Sequence, residues 1–139
     1  MWSSGILRDQ KDMTFRTVYY VDAAAVGEVF CYDIGTFDST RVITPATANL
    51  ALPAGVATQV QAATTYGKMQ TWGYNDTVGV DGTTDVTAGA PLTTVNAIKT
   101  LVIATAVTNG AGQYVPAFAS GVAYTTNAVA AKAVMVRCY

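Results

Sequence analysis

Apolar residues in this chain never run far before a Thr, Gly, Asn or Asp interrupts them. Even the longest nearly apolar window, Leu101 to Val107, contains Thr105. That punctuation limits element length. A membrane-crossing helix needs about 20 consecutive apolar residues, and no such run is present. The pattern favours short strands instead. Val, Thr and aromatic residues suit a pleated surface, while Gly, Asn and Asp supply the bends between strands. Hydrophobic residues make up 51% of the 139. A domain of this size buries about 70% of the surface its unfolded chain exposes, enough for one core without cross-links.

Strands can be placed by their runs and punctuation. Thr17 to Val21 and Val26 to Tyr32 are β-branched and aromatic, separated by a small-residue turn. Arg41 to Thr44 suits a strand before Pro45, and Ala57 to Gln61 another after Pro53. Lys68 to Trp72 alternates, then Gly73 permits a turn or bulge before Thr77 to Asp81, and Asp81-Gly82 signals a tight turn. Ala88 to Leu92 reads as a loop. Leu101 to Val107 is the best core strand and Lys132 to Arg137 the closing one, with Val102, Ala104, Val134 and Val136 expected in the core. Ala117 to Ala133 is ambiguous, because Asn127 to Ala133 suits a short helix while Gly121 and Thr125-Thr126 oppose a long one. Strands spaced by about 8–12 residues with turns between them predict an all-β fold. The expectation is a small antiparallel β-sandwich or barrel with at most one short helix.

Residues 1–16 read differently from the β domain expected over 17–139. They concentrate charge at Arg8, Asp9, Lys11, Asp12 and Arg16, interspersed with Trp2, Ile6, Leu7, Met13 and Phe15, and follow neither strand nor helix period. Two readings fit: an extended arm that docks elsewhere, or a terminus whose apolar residues fold back on the domain. On the first, Trp2, Ile6, Leu7 and Phe15 are the apolar anchors. Arg8, Lys11 and Arg16 would steer the arm towards acidic patches.

The chain has no histidine, and charged residues are 12% of it. Histidine is the side chain best suited to proton transfer near neutral pH and the commonest metal ligand. Its absence, with carboxylates scattered from Asp9 to Asp85, leads us to expect no enzyme, no metal and no cofactor. Asp33 and Asp38 lack the alternating ligands of a calcium loop, and Asp81 and Asp85 suit a turn. A net charge of −1 offers no basic field for nucleic acid. The start carries no apolar signal-peptide core, so no secretion by the general route and no membrane partner is expected. Cys31 and Cys138 lack a metal or redox spacing. They suit two reduced, buried thiols better than a disulfide joining the first and last strands. Asn75-Asp76-Thr77 is a formal glycosylation sequon that suits a turn, and Tyr19, Tyr20, Phe30, Tyr32, Trp72 and Tyr74 suit a β core better than a sugar platform.

Three elements of the second half carry a resemblance: Gly67 to Gly73 as G-x-x-x-x-W-G, Val80 to Leu92 as V-D-G-T-T-x-V-x-A-G-x-P-L, and the Ala- and Gly-rich span Gly110 to Val136. Together they resemble the small capsid decoration, or cement, proteins of tailed bacteriophages. The resemblance implies a β domain on the outer face of the virion capsid, with the major capsid protein and its own copies, as a homotrimer, for partners. It implies a protein made in the host cytoplasm that bridges capsid subunits against internal DNA pressure. A receptor- or carbohydrate-binding head appendage stays open on the same fold. A pilus or fimbrial subunit stays open on composition, although it would need a secretion signal.

Overall fold

The computed structural model describes residues 13–36, 40–50, 52–82, 85–104, 117–119 and 129–138. They form nine strands: β1 (Thr14–Tyr20), β2 (Val29–Tyr32), β3 (Arg41–Ile43), β4 (Pro53–Ala57), β5 (Thr65–Asp81), β6 (Pro91–Val95), β7 (Ile98–Ile103), β8 (Ala117–Ala119) and β9 (Val129–Arg137). A single 3-10 turn, Ile34–Thr36, is the one helical element among the described residues. The fold is all-β, as expected. The strand order is β1-β3-β2-β4-β5-β7-β6-β8-β9, with β5 also paired to β1 and to β9.

Those extra pairings close two circuits on one strand. The β1-β3-β2-β4-β5 circuit is a five-strand closed barrel. The β5-β7-β6-β8-β9 circuit returns to the same strand from its other side. Seventeen residues let β5 serve both: Thr65 to Trp72 pairs with β1, and Trp72 to Asp81 pairs with β9. Most pairings are antiparallel, but β1–β3 and β5–β7 are parallel, which corrects a purely antiparallel expectation.

Each circuit has its own core. Val18, Tyr20, Phe30, Val42 and Met69 centre the first, where the Tyr20 and Phe30 rings meet edge to face at 5.3 Å and the Tyr20 hydroxyl donates to the Lys68 carbonyl at 2.9 Å. Val78, Val80, Leu92, Leu101, Val134 and Val136 centre the second, together with Val29 and Val56. Neighbouring residues of β2 and β4 thus face different cores: Val29 and Phe30 on one strand, Val56 and Ala57 on the other. A strand buried on both faces reads as a continuous apolar run instead of an alternation. Accordingly every residue of β4 is buried, and small side chains let it sit between two cores. Gly27 ties the junction. Its N–H donates to the Ala57 carbonyl at 2.8 Å and its carbonyl accepts from Gly79 at 3.0 Å. At φ +86°, with a Cβ there overlapping the Thr77 carbonyl, only glycine fits.

Several strand expectations are corrected. β4 starts at Pro53 and ends at Ala57, where the sequence reading begins a strand. Gly73 does not interrupt β5; it sits inside the strand at φ 104°, and the bulge falls between Asn75 and Val78. The stretch read as a loop supplies β6 from Pro91 onward. Val102 is half-buried, and Leu101 takes the core position opposite Val80. Leu101 is set inward by its pairing with Val80 of β5. Ala104, Val134 and Val136 are buried as expected. From Val129 the ambiguous Ala-rich stretch is strand, because cross-strand pairing to β5 outweighs the weak helix preference of Ala.

Candidate functional site

β1, β5 and β9 lie side by side, and their outer face gathers large exposed side chains. Gly73 and Asn75 turn inward, so Trp72 and Tyr74 turn out, 43% and 50% exposed. Trp72 lies opposite Thr14 on β1 and Arg137 on β9, and Tyr74 opposite Met135. Phe15, 46% exposed, pairs with Gln70 next along β5. Beside them Met13, Phe15, Val26 and Tyr74 line an open groove of about 390 Å³, with Asp76 and Thr77 at its polar side.

A hydrogen-bond network fixes this face from below. The Gln70 amide nitrogen donates to the carbonyls of Trp72 and Tyr74, both at 3.0 Å, so the side chain lies along its own strand. Asn75 Nδ2 donates to Gln70 Oε1 at 2.9 Å. Asn75 Oδ1 accepts from the Thr77 N–H and hydroxyl, each at 2.8 Å. The bulge is therefore held by side chains, and it directs Tyr74 and Asp76 outward. The same bonds occupy the amide of the formal sequon at Asn75, which is buried.

Of the candidate contact residues, Phe15 is on this face. Arg16 stands in β1, where its guanidinium donates to the Tyr32 hydroxyl at 2.6 Å and lies 5.5 Å from that ring's centre. β1 thus begins inside the segment read as an arm, and Arg16 is committed to the barrel. Trp2, Ile6, Leu7, Arg8 and Lys11 lie outside the described residues. Among the six aromatic residues noted in sequence, Tyr20 and Phe30 are core, while Trp72 and Tyr74 are surface. Met135 was missed, although its place between Val134 and Val136 in an alternating strand marks it as outward-facing. Val26 carries no such signal, since a loop places it.

Carboxylates are engaged singly. Asp33 pairs with Arg41 at 3.3 Å and Glu28 with Lys99 at 3.5 Å. Asp22 accepts from the Thr44 hydroxyl at 2.7 Å and its N–H at 3.0 Å. Among the described residues no group of three or more Cys, Asp or Glu is placed to hold a metal. Cys31 and Cys138 are both buried and form no disulfide, and burial pushes each thiol up to about 12. Buried thiols of that kind carry no thiolate at neutral pH. No helix among the described residues is long and apolar enough to cross a membrane.

These features define a small all-β protein with a closed barrel and a built, outward-facing apolar surface. No family model and no curated protein matches the chain. Among solved structures, its fold is similar to the crystal structure of the head fiber gp8.5 N base in bacteriophage phi29. The likeness has a TM-score of 0.53 at 14% identity, covering 89% of this chain and 93% of that one.

Proposed function

We propose that this chain is a structural protein of a bacteriophage head that binds the outer capsid surface and cements neighbouring major capsid subunits as a homotrimer. One observation carries the reading: a fold likeness that spans nearly the whole of both chains, to the base of a phage head fiber. The motifs from Gly67 to Gly73 and Val80 to Leu92 point the same way from sequence alone. The protein works without turning over a substrate, by geometry and contact. Each copy bridges subunits, and many modest contacts held at once resist expansion of the lattice. In this reading residues 1–12 supply further capsid contacts. Trp2, Ile6 and Leu7 are the anchors, since aromatic and aliphatic anchors dominate interface energies. Arg8 and Lys11 add about 0–1 kcal/mol each as exposed pairs.

The test is co-sedimentation of the purified full chain with empty capsids of the phage that carries it, followed by heating of the decorated shells. Saturable binding at a fixed ratio and a raised disruption temperature are expected. Absence of binding at micromolar protein would refute the reading. Deleting residues 1–12 leaves all nine strands in place, so the truncated chain is expected to fold with an unchanged circular dichroism spectrum. It should bind capsids at least tenfold more weakly, the effect of losing about 1.4 kcal/mol. Unchanged binding would remove the clamp.

A further inference from the structure

We infer that copies of this chain join head to tail, the outer edge of β1 on one copy pairing with the outer edge of β9 on the next. The inference rests on the homotrimer proposed above and supplies the contact that builds it. β5 covers β1 along its whole length, Thr14 to Tyr20, whereas β3 covers only Tyr19 and Tyr20. The Tyr19 N–H donates to the Thr40 carbonyl beside β3, and the Tyr20 carbonyl accepts from Thr64 on the β5 side. Strand alternation therefore turns the N–H and C=O of Phe15 and Thr17 away from β5, where no described residue pairs with them. β9 repeats the arrangement. β5 covers it from Val129 to Arg137, while β8 covers only Val134 to Val136. The Cys138 N–H donates to the Thr71 carbonyl of β5 at 2.7 Å, so the odd-numbered residues of β9 turn their backbone groups away from β5. Among these, Val129 and Ala131 have no described partner on that side. Phe15, Thr17, Val129 and Ala131 are all exposed.

Each open edge presents backbone donors and acceptors ready for another strand. Their placement selects what fills them. Trp72 pairs with Thr14 and with Arg137 at once, so β1 and β9 flank β5 on opposite sides and their open edges face opposite ways. One copy thus carries two unlike edges. A contact between unlike edges is heterologous, and it closes into a ring where the rotation permits. Pairing of like edges about a two-fold axis stops at two copies, whereas three head-to-tail contacts make the proposed trimer. Direction agrees. β1 and β9 are both antiparallel to β5, so they run the same way. Rotation about an axis along the strands keeps that direction, and the joint is a parallel pairing. The side chains fit by size: Phe15 and Thr17 on one edge meet Val129 and Ala131 on the other, large against small, with no charge among the four.

The experiment uses the full chain. Thr17→Pro removes a backbone N–H that β5 does not use, and an outward-facing edge position is where a strand tolerates proline. The variant is expected to keep the wild-type circular dichroism spectrum, while light scattering shows its mass falling from trimer to monomer. A double variant, Thr17→Cys with Ala131→Cys, is treated with a short bis-maleimide and should give linked dimers and trimers. Either single variant should give none, because in a head-to-tail ring Thr17 meets no second Thr17. Cys31 and Cys138 are buried, so the introduced thiols are the accessible ones. If Thr17→Pro fails to fold, the cross-linking decides. Wild-type mass in a folded Thr17→Pro, an uncoupled double variant, equal coupling in a single variant, or bands running past the trimer would each overturn the inference. So would a wild type that stays monomeric over a 100-fold rise in concentration, since each copy would then cover its own edges. Failure of the proposed function looks different: the double variant couples and Thr17→Pro is a monomer, yet no capsid is bound by the wild type.

Discussion

Asp22 shows how one side chain ties strands that are distant in sequence. It follows β1 and holds the Thr44 hydroxyl and N–H just past β3, so the parallel β1–β3 pairing is closed by a carboxylate. Burial alone would raise its pKa. The Thr44 bonds, aided by the positive charge of Lys99, outweigh burial and hold the pKa below the ordinary 3.8. A group depressed on folding contributes stability that is present above its unfolded pKa and lost as pH falls through the folded one. Melting temperature is therefore expected to decline as pH drops below about 4. Asp22→Asn should flatten that decline while lowering stability at pH 7, as thermal melts at pH 7 and pH 3 would show. An equal acid-side loss in both proteins would assign the effect to other carboxylates. None of this was legible in the sequence, where Asp22 and Thr44 are two polar residues beside turns. Burial of Cys31 and Cys138 was legible, because each sits in an apolar strand run.

At the scale of elements, β5 is the decisive strand, and its bulge is the feature that aims the surface. Asn75 makes one bond to Gln70 and accepts two from Thr77 while buried. Asn75→Ala leaves the Gln70 carbonyl oxygen and the Thr77 donors without those partners, a cost of about 1–3 kcal/mol. Asp76→Ala, one residue on and exposed, is expected to stay within about 0.5 kcal/mol. Urea titrations of the two variants check the contrast, and a neutral Asn75→Ala would mean the bulge is held by backbone alone. The apolar closing strand was readable, because it has one buried face and period 2 follows from that, whereas the alternation read over Lys68 to Trp72 fails, since Met69, Gln70 and Thr71 are buried in succession. β4 was not readable either. It lies between two cores, so its residues show no alternation, and Pro53 at its start looks like a terminator.

At the scale of the whole molecule, the two circuits cannot come apart without breaking β5. Val29 and Val56 carry side chains of the first barrel's strands into the second core, and Gly27 bonds to both β4 and β5. The two halves are therefore expected to unfold in one transition, with calorimetric and van't Hoff enthalpies equal. Two resolved transitions would show that each circuit is stable alone.

Sequence by itself determined the class. Frequent Thr, Gly, Asn and Asp among β-branched residues cap strand length and punctuate the chain with turns. These are local properties, set by each residue's own preferences. Tertiary structure decided the rest: that one 17-residue strand serves two closed circuits, that Leu101 and not Val102 faces inward, and that Phe15, Trp72, Tyr74 and Met135 converge on one face. Closure and convergence depend on pairing between segments far apart in the chain. No local preference encodes which strands will meet, because their register is settled only when both cores are filled at once.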